Sequence, residues 1–226
     1  MKCIAPVQLK YKAPRFVNGI VVFYYSVPCG KCAACMQTKR DSWSVRLQHE
    51  LHAAHTASFL TLTYSDEYFM EKCIKADDVQ KQIMYNQSVH KKDVQDFLKR
   101  LRYYNDTEFR YFAVGEYGEK TNRPHYHLLL FNINAATFER DVANAWTFGN
   151  AHFGKVEDAS INYVTSYVIT SKYRPYEFCE STFALMSRRP GIGFPHIERN
   201  YNYYVNEPKL DVVTRSGYRH SMPRVS

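Results

Sequence analysis

No apolar run in this sequence approaches the roughly 18 residues of a membrane-spanning helix. The opening MKCIAPVQLKYK lacks the charged, apolar, then small-residue order of a secretion signal. An intracellular protein is therefore expected rather than a spanning or exported one. Internal repeats and low-complexity linkers are absent, which leaves one domain, or one domain with a small appendage, for the 226 residues. No G-x-x-x-x-G-K-[ST] phosphate loop occurs, since GEYGEKT at 115–121 misses the spacing, so no nucleotide-driven motor of that class is read here. Disorder is excluded by a hydrophobic fraction of 45%.

Positive charge is what the chain has in excess. A formal +8 and a pI near 9.1 point to a polyanionic partner, nucleic acid before membrane. The six cysteines are unevenly placed: Cys29, Cys32 and Cys35 crowd into PCGKCAAC, whereas Cys3, Cys73 and Cys179 stand apart. In a reducing compartment this reads as metal or free thiols, not as a disulfide framework. Structural Zn²⁺ takes four ligands, and Cys3, just ahead of a hairpin with strands near 7–11 and 20–25, is placed to join the three clustered thiolates. His49 and His52 are alternative donors. The plain alternative is a set of small buried thiols around a tight turn at 28–30.

Along the chain, MQTKRDSWSVRLQHELHAAH spaces Trp43, Val45, Leu47, Leu51 and Ala54 as an amphipathic helix. Its Lys39, Arg40 and Arg46 either face phosphates or belong to a solvated face shared with Asp41 and Glu50. FLTLTY at 59–64 alternates as a strand, and residues 65–87 read as a loop with a short helix. Val94, Phe97, Leu98 and Leu101 make a helical stripe among lysines and arginines. Strands follow at 110–116 and 125–131, then a helix at 134–146, an edge strand at 151–156, a further helix, and a short helix around 196–204. That order predicts an α+β fold with a mostly antiparallel central sheet, packed helices and a small cysteine-rich amino-terminal element. Residues 1–36 form that element, 37–175 the core and 176–226 a carboxy-terminal extension.

The chemistry concentrates in GEYGEKTNRPHYHLLLF at 115–131. By the period-two rule, His125 and His127 share a face with Leu129 and Phe131, while Tyr126, Leu128 and Leu130 fill the other. A strand apolar on both sides belongs inside a sheet. With 118–123 as the loop, antiparallel register sets Glu116 opposite His125 and Val114 opposite His127. Two imidazoles and a carboxylate then converge as ligands of a catalytic divalent ion with open coordination positions. The plain alternative is two partly exposed histidines on one face. Further on, the helix from Asp158 or Ser160 buries Ile161, Val164 and Val168 and turns Tyr163 and Tyr167, four apart, to a separate face. Such a pair serves either chemistry or packing.

Together these segments resemble the HUH endonucleases, and among them the replication initiation proteins of gokushovirus-type microviruses, small single-stranded DNA phages. PCGKCAAC with the following helix resembles the family's amino-terminal signature, FLTLTY its first motif and PHYHLLLF at 124–131 its His-hydrophobic-His motif. YVTSYVITSK at 163–172 is similar to the two-tyrosine motif of related A proteins, although Ser166 and Thr170 stand where relatives commonly carry lysines. Lys172, off that register, is placed as a phosphate contact. The resemblance implies Mg²⁺ or Mn²⁺ on Glu116, His125 and His127, and Tyr163 and Tyr167 as nucleophiles nicking single-stranded origin DNA. The products are a 5′-phosphotyrosyl ester and a 3′-hydroxyl primer for rolling-circle replication. It also implies a host helicase and polymerase as partners, and action in the bacterial host's cytoplasm.

Two readings from other classes compete. A non-catalytic RRM-like module would stack bases on Phe59, Tyr111 and Tyr126, with the cysteines as a zinc knuckle. A metal phosphoesterase would use water and need neither tyrosine. Tyr103, Tyr104, Tyr201, Tyr203 and Tyr204 are further rings on which bases could stack.

Overall fold

The structure, a computed structural model, describes residues 3–68, 87–169, 173–177, 179–206, 211–213 and 219–221. Cys73, Lys172 and most of the expected loop at 65–87 lie outside them. Alternating side chains pair two strands, β1 (Val7–Val17) and β2 (Ile20–Val27), into an antiparallel ribbon. Helix α1 (Ala33–Ala53) follows, then β3 (Ala57–Tyr64), α2 (Lys91–Tyr104), β4 (Arg110–Tyr117), β5 (Pro124–Phe131), α3 (Phe138–Ala145), β6 (Gly149–Lys155) and α4 (Asp158–Ile169). This is the order the sequence pattern predicts. Beyond it lie β7 (Phe183–Met186), α5 (Phe194–Arg199), α6 (Tyr201–Asn206), and the short pair β8 (Asp211–Val213) and β9 (Arg219–Ser221).

Five strands make the antiparallel central sheet in the order β6-β3-β5-β4-β7. β5 therefore sits in the middle, as its two-sided apolar run requires. On one face Leu60, Leu62, Ala113, Tyr126, Leu128 and Leu130 pack against Val94, Phe97, Leu98 and Leu101 of α2 and Phe138, Val142 and Ala145 of α3. Each of the four α2 side chains contributes about 1.5–3 kcal/mol by burial. On the other face Phe112, Val114, Leu129 and Phe131 meet Leu47 of α1 and Ile161, Val164 and Val168 of α4.

Several expectations need correction. The helix expected over 134–146 begins only at Phe138, because Asn134 caps a turn onto the Ala136 amide instead. The single helix expected at 196–204 is broken at Asn200, whose amide takes the last carbonyls of α5. α4 is capped at Glu157, with the Ser160 hydroxyl accepting from the Glu157 amide, so Ser160 lies inside the first turn. Strand β7 escaped the sequence pattern altogether. Its four residues cover the edge of β4, which would otherwise leave a row of backbone groups unpaired.

The basic residues of α1 are neither free phosphate contacts nor a solvated face. Lys39 Nζ donates to Val168 O at 3.3 Å, Arg40 Nη2 to Asn162 O at 3.2 Å and Arg46 Nε to Ile192 O at 3.0 Å. Glu50, expected on the charged surface, is buried and paired with Arg110.

Candidate active site

Local register builds the site. Tyr117 pairs with Pro124, Glu116 with His125 and Val114 with His127, as the loop length predicts. β3 adds Thr61 opposite His127, so a carboxylate, two imidazoles and a hydroxyl share the face that α4 covers.

Glu116 and His127 are both buried and meet at 2.8 Å, His127 Nε2 to Glu116 Oε1. A carboxylate only accepts, so Nε2 carries the proton and Nδ1 accepts from the Thr61 hydroxyl at 2.9 Å. The Tyr163 hydroxyl donates to the same Glu116 Oε1 at 3.2 Å and lies 3.4 Å from His127 Nε2. Its ring remains 43% exposed, enough for a polymer to reach it. Tyr167 lies behind, its ring edge-on to Tyr163 at 5.1 Å and stacked near parallel on His127 at 6.2 Å. Phe59 closes the other side of His127 at 5.7 Å.

His125 stands apart from this group. Its Nδ1 donates to the Arg123 carbonyl at 2.7 Å, which leaves Nε2 with the lone pair, and its ring is parallel to that of His127 at 6.3 Å. Burial, above all, holds its imidazole below the ordinary histidine range, so it is neutral as a ligand must be. The expected convergence of three donors is thus incomplete. Glu116 and His127 touch, but the trio does not bring its ligand atoms within 4.8 Å of one another; among the described residues only the cysteine cluster does so. The donor set suits a divalent ion, with each histidine anchored through Nδ1 in the manner of metal-binding imidazoles. Burial first, and the Glu116 carboxylate as well, hold the phenols of Tyr163 and Tyr167 above the usual tyrosine range.

Pattern reading missed three supports. Thr61 was accessible from the alternation of FLTLTY, which places it on the face of Phe59. The grip of α1 on α4, through Lys39, Arg40 and the Ser44–Thr165 hydroxyl pair at 3.2 Å, joins residues more than 120 positions apart and carries no local signal. The Arg123 carbonyl is likewise invisible to composition.

At the ribbon's base, Cys3, Cys29, Cys32 and Cys35 gather their sulfurs within 4.8 Å of one another. Cys29 Sγ lies 4.0 Å from Cys35 Sγ, and Cys32 Sγ lies 3.8 Å from Cys3 Sγ. The backbone amides of Ile4 and Cys35 draw Cys32 down to about 6. The Gly30 amide favours the Cys35 thiolate, but burial and the sulfurs of Cys32, Cys3 and Cys29 prevail and push it up to about 12. Four thiols in this arrangement can hold a metal ion such as zinc. His49 and His52 are not among the ligands: the His49 ring stacks on His196 at 4.3 Å, and His52 faces the same ring.

Comparison with known proteins gives these sites a context. The chain is 30% identical over 195 residues to replication-associated protein VP4 of Bdellovibrio phage phiMH2K, covering 74% of this chain and 57% of the phage protein. It is 25% identical to replication-associated protein ORF2 of Spiroplasma virus 4, covering 97% and 77%, and 26% identical to replication-associated protein ORF4 of Chlamydia phage 1, covering 71% and 43%. The chain thus spans little more than half the length of the first of these relatives. No solved structure matches it. Residues 57–172, from β3 through the tyrosine helix, match the model of the replication-associated protein ORF2 family, and the chain belongs to that family.

Proposed function

We propose that the chain initiates phage DNA replication by nicking single-stranded origin DNA with Tyr163 as the nucleophile. The observation that carries this reading is the Tyr163 hydroxyl, open to solvent yet hydrogen-bonded to Glu116 and beside His127 Nε2. Attack of Tyr163 Oη on phosphorus forms the phosphotyrosyl bond to the 5′ side and breaks the bond to the 3′ oxygen. That oxygen takes up a proton and becomes the primer end. Glu116 orients the phenol and is the adjacent acceptor for its proton. A Mg²⁺ or Mn²⁺ ion bound by Glu116 and His127, with His125 as third ligand, would polarise the scissile phosphate and favour the phenolate against burial. Tyr167, one turn along, is placed for a second transfer. Lys172 is retained as a phosphate contact. A host helicase and polymerase complete the cycle, in the bacterial cytoplasm. Among the described residues no helix is long and apolar enough to cross a membrane.

An open-faced RRM-like module fits less well. Tyr126 is fully buried and Phe59 lies against His127 beneath the helices, so neither ring meets a base. The test is incubation with Mn²⁺ and an origin-bearing single-stranded oligonucleotide, followed by a denaturing gel. A covalent protein–DNA band that Tyr163→Phe abolishes is expected. Cleavage without a covalent band would instead identify a water-using phosphoesterase, and binding without cleavage a passive module.

A further inference from the structure

The first forty residues contain seven lysines and arginines and no aspartate or glutamate. They carry +7 of the chain's +8, so the excess charge is local to one end. Most of this stretch is the β1–β2 ribbon, and almost all of it faces solvent: Tyr11, Val22 and Val27 alone are partly covered. A free two-stranded ribbon is marginal in water, and this one is fastened at its base, where Cys3 and Cys29 flank the strands within the four-cysteine cluster.

Register sorts its side chains. Val7, Leu9, Phe16, Val21, Phe23 and Tyr25 share one side, and Gln8, Lys10, Arg15, Tyr24 and Ser26 the other. Phe16 is 78% exposed and Phe23 50%, far more than a folded chain grants aromatic rings with no partner. The Tyr11 ring rests on Tyr25 at 4.6 Å, and the Arg15 guanidinium lies over Tyr11 at 5.1 Å. One cation is thereby carried round to the aromatic side.

We propose that this ribbon is a nucleic-acid arm that binds single-stranded DNA outside the nicking site, its rings stacking on unpaired bases while Lys10, Lys12 and Arg15 meet phosphates. Unpaired bases are favoured over duplex because rings and cations alternate along a narrow arm, the composition that reads base faces without sequence. The proposal rests on DNA being the substrate, but not on Tyr163 being the nucleophile.

The test is fluorescence anisotropy of the full chain with a labelled thirty-residue oligothymidylate and with a duplex of equal length, from 50 to 200 mM salt. Removing three phosphate contacts in K10S/K12S/R15S should lower the salt slope by about 2, so that the fourfold salt step costs roughly 20-fold less affinity than in the wild type. F16S/F23S should weaken single-strand binding by about tenfold per ring and leave duplex binding nearly unchanged. A control, K91S/K92S/K99S, removes equal charge from α2. All variants alter exposed positions; melting curves and metal content verify folding, and covalent adduct yield at saturating oligonucleotide should be unchanged. Equal effects of the control would reduce the arm to bulk charge and overturn the proposal. So would aromatic variants that lose self-association in sedimentation while keeping DNA affinity, which would make the ribbon an interface between copies. A wild-type chain that binds no DNA sinks the function proposed above as well; normal wild-type binding with unaffected ribbon variants sinks the arm alone.

Discussion

Replacing Glu50 by alanine should cost more stability than any change at the catalytic face. Glu50, 2% exposed on α1, accepts from Arg110 Nε and from the Gly193 amide at 2.6 Å; Arg110 Nη2 also donates to Gly191 O at 2.9 Å. One carboxylate thus ties α1 to β4 and to the turn that starts α5. Glu50→Ala strands a guanidinium that is itself largely buried, a loss of about 3–5 kcal/mol. The orphaned Gly193 amide adds roughly 1–3 kcal/mol. For a chain of this length each kcal/mol moves the melting temperature by about 2–4 °C, so a fall of roughly 10–20 °C follows. Thermal unfolding by circular dichroism reads it directly. The double variant Glu50→Leu/Arg110→Leu should recover much of the loss, because no buried charge is then left unpaired. A fall below about 3 °C, or a double variant as poor as the sum of its parts, would show that the pair is solvated and the argument wrong.

Three further outcomes are expected. Elemental analysis of the purified chain should find one zinc for each molecule, lost in Cys32→Ser with the β3–β7 sheet still folded; a full zinc complement in that variant would remove Cys32 from the ligand set. Burial, then the charges of His196 and His52, lowers His49 to about 4 from 6.5. A histidine depressed on folding binds fewer protons folded than unfolded, so its contribution is complete above pH 6.5 and is lost as pH falls toward 4. With allowance for solvent screening the loss is about 2 kcal/mol, and urea midpoints of His49→Phe should slope less over that window than those of the wild type. Gly149→Ala would set a methyl 2.3 Å from Thr63 O and from the Ser65 amide. Those are backbone atoms, so β6 must leave β3, and a loss of about 3 kcal/mol or more is expected in denaturant titration.

Much of the molecule is written locally. The hairpin from Arg110 to Phe131 can be registered from its loop length alone, because side-chain period and strand direction leave one pairing that keeps Leu129 and Phe131 with Val114 in the core. The Val94–Leu101 stripe and the Ile161–Val168 stripe specify which helix faces are buried, and the latter turns Tyr163 away from the core by its spacing alone. The four-cysteine set is likewise legible, since three thiols at Cys-x-x-Cys spacing need one more ligand and the hairpin returns Cys3 to them.

The rest arises only when distant segments meet. Whether Lys39, Arg40 and Glu50 lie in water or in a clamp depends on partners 60 to 146 residues away in sequence, and no periodicity encodes such a partner. Strand β7 exists because β4 presents an edge to it. The difference between His127 and His125, identical in type and alternation, is also tertiary: Glu116, Thr61 and Tyr163 enclose one ring, while a carbonyl of the preceding turn holds the other. Side-chain period selects a face of the sheet, but only packing across the strands and under α4 decides which atoms on that face touch.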